Sequence, residues 1–297
     1  MLKVKIPTAL KTDKAGYSFI AELYPLLVSQ EDKEVTIDFS VCLDIDANLA
    51  AAIGAILDRL VEEGFQIWLN RPVDKKVRTV LSRNHFLKAW NVPTQTEDRE
   101  NYVEYRKFQS IDSAAFKQYI DDGLIKKEKF PKHTNLVGSN IIENIYEIYA
   151  NAIMHGETTY VYSCGEYNEK EHILEMTIVD CGKTIPLNVN NYLSKKNLPT
   201  YSHCDAIKWA FISGNTTKDV PGGLGLAILK DFINLNGGAI QVVSGRGMIE
   251  YSGNNVEQYL LEVEFPGTIV NMRFNFDDSK NYYMTSERET INLNDLL

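Results

Sequence analysis

Asn144–Gly156, NIYEIYANAIMHG, is the stretch that decides how the second half of this chain reads. Counting back one turn, Ile141, Ile145, Ile148 and Ala152 recur at i, i+4, i+7 and i+11, the spacing of a core-facing stripe on an α-helix. Asn144, Glu147, Asn151 and His155 recur at i, i+3, i+7 and i+11 and form a second stripe. A carboxylate and an amide one turn apart on a mostly apolar helix cost desolvation free energy unless a polar partner meets them. Bulk water would serve, making the stripe a plain solvated face. A divalent cation carrying a phosphate would serve as well, and the residues further along discriminate between the two.

His172–Val179 reads as a strand that runs straight into Val179-Asp180-Cys181-Gly182. Asp180 at the strand end presents a carboxylate, and Gly182, lacking a side chain, lets a flat ring approach the backbone. Asp and Gly are also common turn residues, so this pair alone is a weak sign. Ser213–Leu226, SGNTTKDVPGGLGL, is a glycine- and hydroxyl-rich loop leading into an apolar helix over Leu224–Leu235, which Gly237-Gly238 stops. Backbone N–H groups at such a helix start bind anions. The helix dipole adds only about 0.3–1 kcal/mol there, against about 1.5–3 kcal/mol for each hydrogen bond to a charged oxygen, so the bonds decide affinity. The chain contains no G-x-x-x-x-G-K-[ST] sequence and is not a P-loop protein.

With 297 residues the chain is long enough for two cores. A net charge of −9 argues against non-specific binding to nucleic acid or anionic membranes, which needs a basic surface. Cys42, Cys164, Cys181 and Cys204 form no C-x-x-C pair, as expected of reduced thiols in a cytoplasmic protein. The five histidines are scattered, and the adjacent trio His203-Cys204-Asp205 cannot easily ligate one metal. The N-terminus has no continuous apolar segment of the signal-peptide kind, and the apolar run Ala47–Leu57 is too short to span a bilayer. A soluble, cytoplasmic protein is the expectation.

In chain order, residues 1–92 read as a small α/β unit. Strands are expected over Lys3–Ile6, Glu34–Phe39 and Phe65–Leu69, and helices over Tyr17–Val28, from Asp46 to Gly64, and over Asp74–Ser82. Residues 93–133 read as a linker with a helix over Ser110–Asp122. From 134 to 276 the pattern predicts the helix quoted above, strands over Thr158–Cys164 and His172–Val179, and an irregular stretch over Lys183–Thr200. A short helix over Cys204–Ile212 and three more strands, Ala239–Val243, Gln258–Phe265 and Thr268–Phe276, complete an antiparallel sheet with helices on one face. Residues 277–297 form an acidic tail without strong periodicity.

Two resemblances follow from these pieces. Val35–Phe86, with Asp38 ending a strand and EEGFQIWLNRP following the helix, resembles the STAS domain of anti-anti-sigma factors. Where regulated members carry a phosphorylatable Ser, this chain reads Asp44-Ile45-Asp46-Ala47-Asn48, without a hydroxyl. Residues 134–276 resemble the ATP-binding domain of the GHKL superfamily, the Bergerat fold of gyrase, mismatch-repair ATPases, sensor histidine kinases and anti-sigma-factor serine kinases. The resemblance rests on four motifs in order: Glu147-x3-Asn151-Ala152-x2-His155-Gly156; Asp180-x-Gly182; the Thr216-Thr217-Lys218 lid ahead of Gly223-Leu224-Gly225-Leu226; and Gly267-Thr268. The fold class so implied is α/β (α+β), a STAS-like unit followed by a two-layer α/β sandwich.

The resemblance also implies roles. Asn151 would bind Mg²⁺, which bridges the phosphates of ATP, and Glu147 would orient and deprotonate the attacking water or protein hydroxyl. Asp180 would accept a hydrogen bond from the adenine amino group beside Gly182, and Thr268 would help to hold the ring. Gly223, Leu224 and Gly225 would offer N–H groups to the phosphates, with Thr217 or Lys218 reaching the terminal one. His155 reads better as a cation at the negative end of the helix dipole. Sensor histidine kinases usually carry Asn where this chain has Glu147, and no long phosphoacceptor-helix segment precedes the domain, so an ATPase or serine/threonine kinase is expected over a histidine kinase. Thr184 stands where the family often has a second glycine. A nucleotide-gated switch with little turnover, acting on a protein partner through the STAS-like half, is the alternative. Self-association through the ATP domain or the tail is left open.

Overall fold

A computed structural model describes residues 2–94, 101–217 and 225–287. The N-terminal part contains β1 (Leu2–Lys5), β2 (Ala9–Leu10), α1 (Lys14–Val28), β3 (Glu34–Asp38), β4 (Asp44–Ile45), α2 (Ala50–Glu62), β5 (Gln66–Leu69), α3 (Lys75–Arg83) and α4 (Phe86–Ala89). β1, β3 and β5 form a parallel sheet in that order, and β2 pairs with β4, also in parallel. α1 begins a turn earlier than the apolar pattern predicts, because the Asp13 carboxylate accepts from the Gly16 N–H at 2.9 Å and caps it.

The rest contains β6 (Tyr102–Gln109), α5 (Ser113–Ile120), α6 (Asn135–His155), β7 (Tyr160–Asn168), β8 (Ile173–Asp180), α7 (Ile185–Lys195), α8 (His203–Ala210), α9 (Gly225–Leu235), β9 (Ala239–Ser252) and β10 (Asn255–Asn275). The five strands make one antiparallel sheet in the order β6-β7-β8-β10-β9. The segment expected as a linker therefore contributes an edge strand. Within YVEYRKFQ, Val103, Tyr105 and Phe108 are buried while the charged residues between them face solvent. The last three expected strands are two: β10 runs through Pro266 and Gly267 as one strand, with register shifts between Leu260 and Phe265 and between Phe265 and Thr268.

Helices cover both faces of this sheet, not one. Ile141, Ile145 and Tyr149 of α6 share a core with Phe116 of α5, Ile207 of α8 and Ile233 of α9. On the opposite face, α1 and α2 pack between the large sheet and the small parallel one, so that Ile20 and Ile56 belong to the same core as Ile37, Val179, Val243 and Ile269. The composition of α2 explains its place. Ala50-Ala-Ala-Ile-Gly-Ala-Ile-Leu57 is buried at every residue, and a helix apolar all round needs cover on all sides. Four layers result: parallel sheet, helices, antiparallel sheet, helices.

A buried polar seam joins the second and third layers. Asn48 donates from Nδ2 to Thr177 Oγ1 and to Asn271 Oδ1, each at 3.0 Å, and its Oδ1 accepts from Thr12 Oγ1 at 3.1 Å. Tyr17 donates to Gln241 Oε1 at 3.0 Å, and Asn271 Nδ2 donates to the same oxygen at 3.2 Å. These six side chains are buried and supply one another's partners, which makes their burial affordable.

Candidate functional site

α6 starts at Thr134, whose Oγ1 accepts from the Val137 N–H at 3.3 Å, and ends at Gly156. Its C-terminal half forms one wall of a cavity of about 360 Å³, to which Glu147, Asn151 and His155 contribute. Asp180 at the end of β8 and Thr268 on β10 lie at the base, Asn188 and Trp209 come from α7 and α8, and Thr217 comes from the loop after α8. The structure thus brings together Glu147, Asn151, Asp180, Thr217 and Thr268, which are far apart in sequence. Thr217 Oγ1 lies 3.3 Å from His155 Nδ1. Gly225 is the first residue of α9, while Lys218, Gly223 and Leu224 lie outside the described residues.

Gly182 has a different task from the one expected. A methyl group there would sit 2.1 Å from the Gly156 carbonyl oxygen, and one on Gly156 would sit 2.4 Å from the Ala152 oxygen and 3.0 Å from Asp180 Oδ1. Gly182 therefore makes room for the end of α6, and it does not line the cavity. The Lys183 N–H donates to the Gly156 oxygen at 2.6 Å and fastens the turn to the helix. This close approach brings Asp180 against Gly156 at the end of α6.

Asp180 is 5% exposed, and its Oδ1 accepts from the Gly182 N–H at 2.9 Å. Burial penalises the carboxylate and pushes its pKa up to about 7, with the Gly182 bond offsetting part of the rise. Near neutral pH the group is poised between accepting and donating.

The stretch expected to be irregular is α7. Thr184 caps it by accepting from the Leu187 N–H at 3.3 Å, and Pro186 occupies its first turn, where a missing N–H costs nothing. The motif position at which Thr184 replaces glycine is thus a helix start. Asn188 on α7 donates from Nδ2 to the His155 carbonyl at 2.8 Å, satisfying one of the orphan carbonyls at the end of α6. Ser244 on β9 was likewise invisible to motif reading. It is completely buried, lies opposite Thr268 in the sheet register and has its Oγ 2.9 Å from Thr268 Oγ1.

The site is braced from behind by α2. Arg59 donates from Nη1 to the Cys181 carbonyl at 3.2 Å and to the Pro266 carbonyl at 3.3 Å, while its guanidinium lies over the Tyr24 ring.

Among the described residues no group of three or more His, Cys, Asp or Glu side chains could cage a metal by itself. One amide and one carboxylate, Asn151 and Glu147, suit a hard cation that keeps waters and brings phosphate oxygens of its own, the usual habit of Mg²⁺. No helix among the described residues is long and apolar enough to cross a membrane. No protein-family model and no curated protein matches this chain.

Proposed function

We propose that the chain is a Mg²⁺-dependent ATP-binding protein of the GHKL class, with its Bergerat-type half at residues 134–276 and a STAS-like half before it. The observation that carries this reading is the cavity itself. Its volume of about 360 Å³ lies within the usual range for small-molecule sites, a buried carboxylate and a hydroxyl stand at its base, and a carboxylate and an amide stand on one wall. Asp180 and Thr268 would hold the adenine. Asn151 would hold Mg²⁺, which supplies charge neutralisation between the phosphates. Gly225 at the start of α9 and Thr217 beside His155 would meet the phosphate oxygens. Glu147, one turn before Asn151, would take the proton of the attacking hydroxyl or water, giving ATP hydrolysis or transfer to a protein Ser or Thr.

The STAS-like half is not the phosphoacceptor at its usual loop. Ala47, Asn48 and Leu49 are buried there, and Asn48 faces the large sheet.

A second reading, a nucleotide-gated protein-interaction switch with little turnover, is favoured by one observation. Arg59 of the N-terminal part bonds the backbone directly behind the site, giving ligand occupancy a short route to the STAS-like half.

The deciding experiment is ADP release from Mg²⁺-ATP by the full chain beside Glu147→Ala, with intact mass read at the end. ADP lost in the variant without a mass gain identifies an ATPase; a gain of one phosphate identifies self-phosphorylation. No ADP from either protein, with an ATP-induced rise in Tm, selects the switch. No turnover and no ATP-dependent Tm shift overturns ATP binding.

A further inference from the structure

Resting on the reading of the cavity as an adenine nucleotide site, we infer that Ser244 is a positioning residue that sets purine selectivity by turning the Thr268 hydroxyl into an acceptor. A serine hydroxyl has one proton to give and two lone pairs to receive with. Three groups surround Ser244 Oγ: the Gly267 carbonyl at 3.0 Å, the Ile185 N–H at 2.9 Å and Thr268 Oγ1 at 2.9 Å. The carbonyl can only accept, so the serine proton goes there. The N–H can only donate and takes one lone pair. All three contacts hold together in one way: Thr268 gives its proton to the second lone pair. Thr268 is then left with lone pairs alone to show to the cavity it lines.

Its neighbour across the sheet is Asp180, the directly opposed residue on β8. One Asp180 oxygen receives the Gly182 N–H, and an ionised carboxylate has no proton to offer. Two acceptors therefore stand side by side at the base of the cavity. A 6-aminopurine answers them with the donors of its amino group. A 6-oxopurine would set a carbonyl where the amino donors were, and its single N1–H can serve only one of the two acceptors. Ser244 never touches the base; it decides which way the Thr268 proton points. Once Ser244 is removed, Thr268 can rotate and donate to an oxo group.

The test is the ratio of Mg²⁺-ITP to Mg²⁺-ATP dissociation constants for the full chain at pH 8, where Asp180 is mostly ionised. The two nucleotides differ only in the oxo or amino group and the proton that accompanies it. Ser244→Ala should lower the ratio by about tenfold, the scale of one buried hydrogen bond gained by the wrong base, chiefly through tighter ITP binding. In a Thr268→Val background the same substitution should leave the ratio where Thr268→Val alone puts it. A merely structural serine would weaken both nucleotides alike and leave the ratio unchanged. Ser244→Cys keeps the side chain in place with a much poorer acceptor and carries the same test if the alanine variant does not fold. An unchanged ratio in the folded variants, or a wild-type protein indifferent to the two nucleotides, overturns the inference while leaving nucleotide binding intact. A wild-type protein that binds neither removes the nucleotide reading and this inference with it.

Discussion

The Arg59 guanidinium, on a helix of the N-terminal part, donates to the carbonyl of Cys181, the residue that follows Asp180. A second bond from the same Nη1 reaches Pro266, two residues before Thr268. One side chain thus braces both backbone segments that form the base of the cavity without entering it. Charge-assisted bonds of this kind contribute about 1.5–3 kcal/mol when buried, and the partial exposure of Arg59 puts the expected effect at the low end. On the proposed function, Arg59→Ala should weaken ATP binding by about tenfold. Titration calorimetry on the variant checks this, and an unchanged affinity would show that the brace has no bearing on the site.

Gly182→Ala should be worse than a typical surface change. The added methyl meets the Gly156 oxygen at 2.1 Å, so either the end of α6 or the Asp180 turn must move. Overpacking of this sort costs about 1–3 kcal/mol, and the displacement shifts Asp180 relative to the end of α6. A lowered Tm is expected, and on the proposed function ATP binding is lost with it. Gly64→Ala is a useful contrast. A methyl there meets nothing within 4 Å, so only backbone strain at its φ of +87° should register, with ATP binding intact.

Asp180 and Glu166 should make the apo protein less stable as pH rises through neutrality. Burial pushes both carboxyl groups up to about 7, far above their ordinary range near 4, with an N–H bond from Gly182 or Ala47 offsetting part of each rise. Between those two values the folded state holds protons that the unfolded chain releases. The resulting stability is fully present below about pH 4 and is lost as pH rises through about 7. The slope approaches about 1.4 kcal/mol per pH unit for each group within that window. Asp180→Asn should flatten the dependence of urea midpoint on pH between 5 and 8. An identical profile in the variant would contradict the assignment.

The polar seam predicts that the molecule unfolds as one unit. Asn48→Ala takes the acceptor from the buried Thr12 hydroxyl and a donor from Thr177 and Asn271, costing about 1–3 kcal/mol, and should lower a single shared Tm. Two separate melting transitions, only one of them shifted, would mean that the halves are independent.

Several residues of the cavity lining stand out in the sequence because they sit at places where pattern and chemistry conflict. Glu147 and Asn151 stand out as a carboxylate and an amide one turn apart on a mostly apolar helix, and Asp180 as a charge ending a β-branched strand. Thr217 and Thr268 stand out only through the family resemblance. Gly182 was misjudged because a glycine in sequence does not say which neighbour it makes room for. Ser244 is one hydroxyl within an ordinary strand and matters only through partners on α7 and β10. In the fold, α7 was obscured by Pro186, a breaker everywhere except the first turn. β6 was obscured by the charged residues that face solvent between Val103 and Phe108. The second covered face of the large sheet was visible in principle, since a run as uniformly apolar as Ala50–Leu57 has no side fit for water.

The seam has a consequence for how the chain is made. Tyr17 finds its partner 224 positions later, at Gln241, and Asn48 finds one 223 positions later, at Asn271. A ribosome releasing this polypeptide exposes the inner faces of α1 and α2 long before β9 and β10 emerge to cover them. Contacts so distant along the chain slow folding and leave apolar surface open to association in the meantime. Yield should therefore depend on synthesis temperature and rate more than the finished molecule's stability suggests, and fragments ending before residue 239 should aggregate.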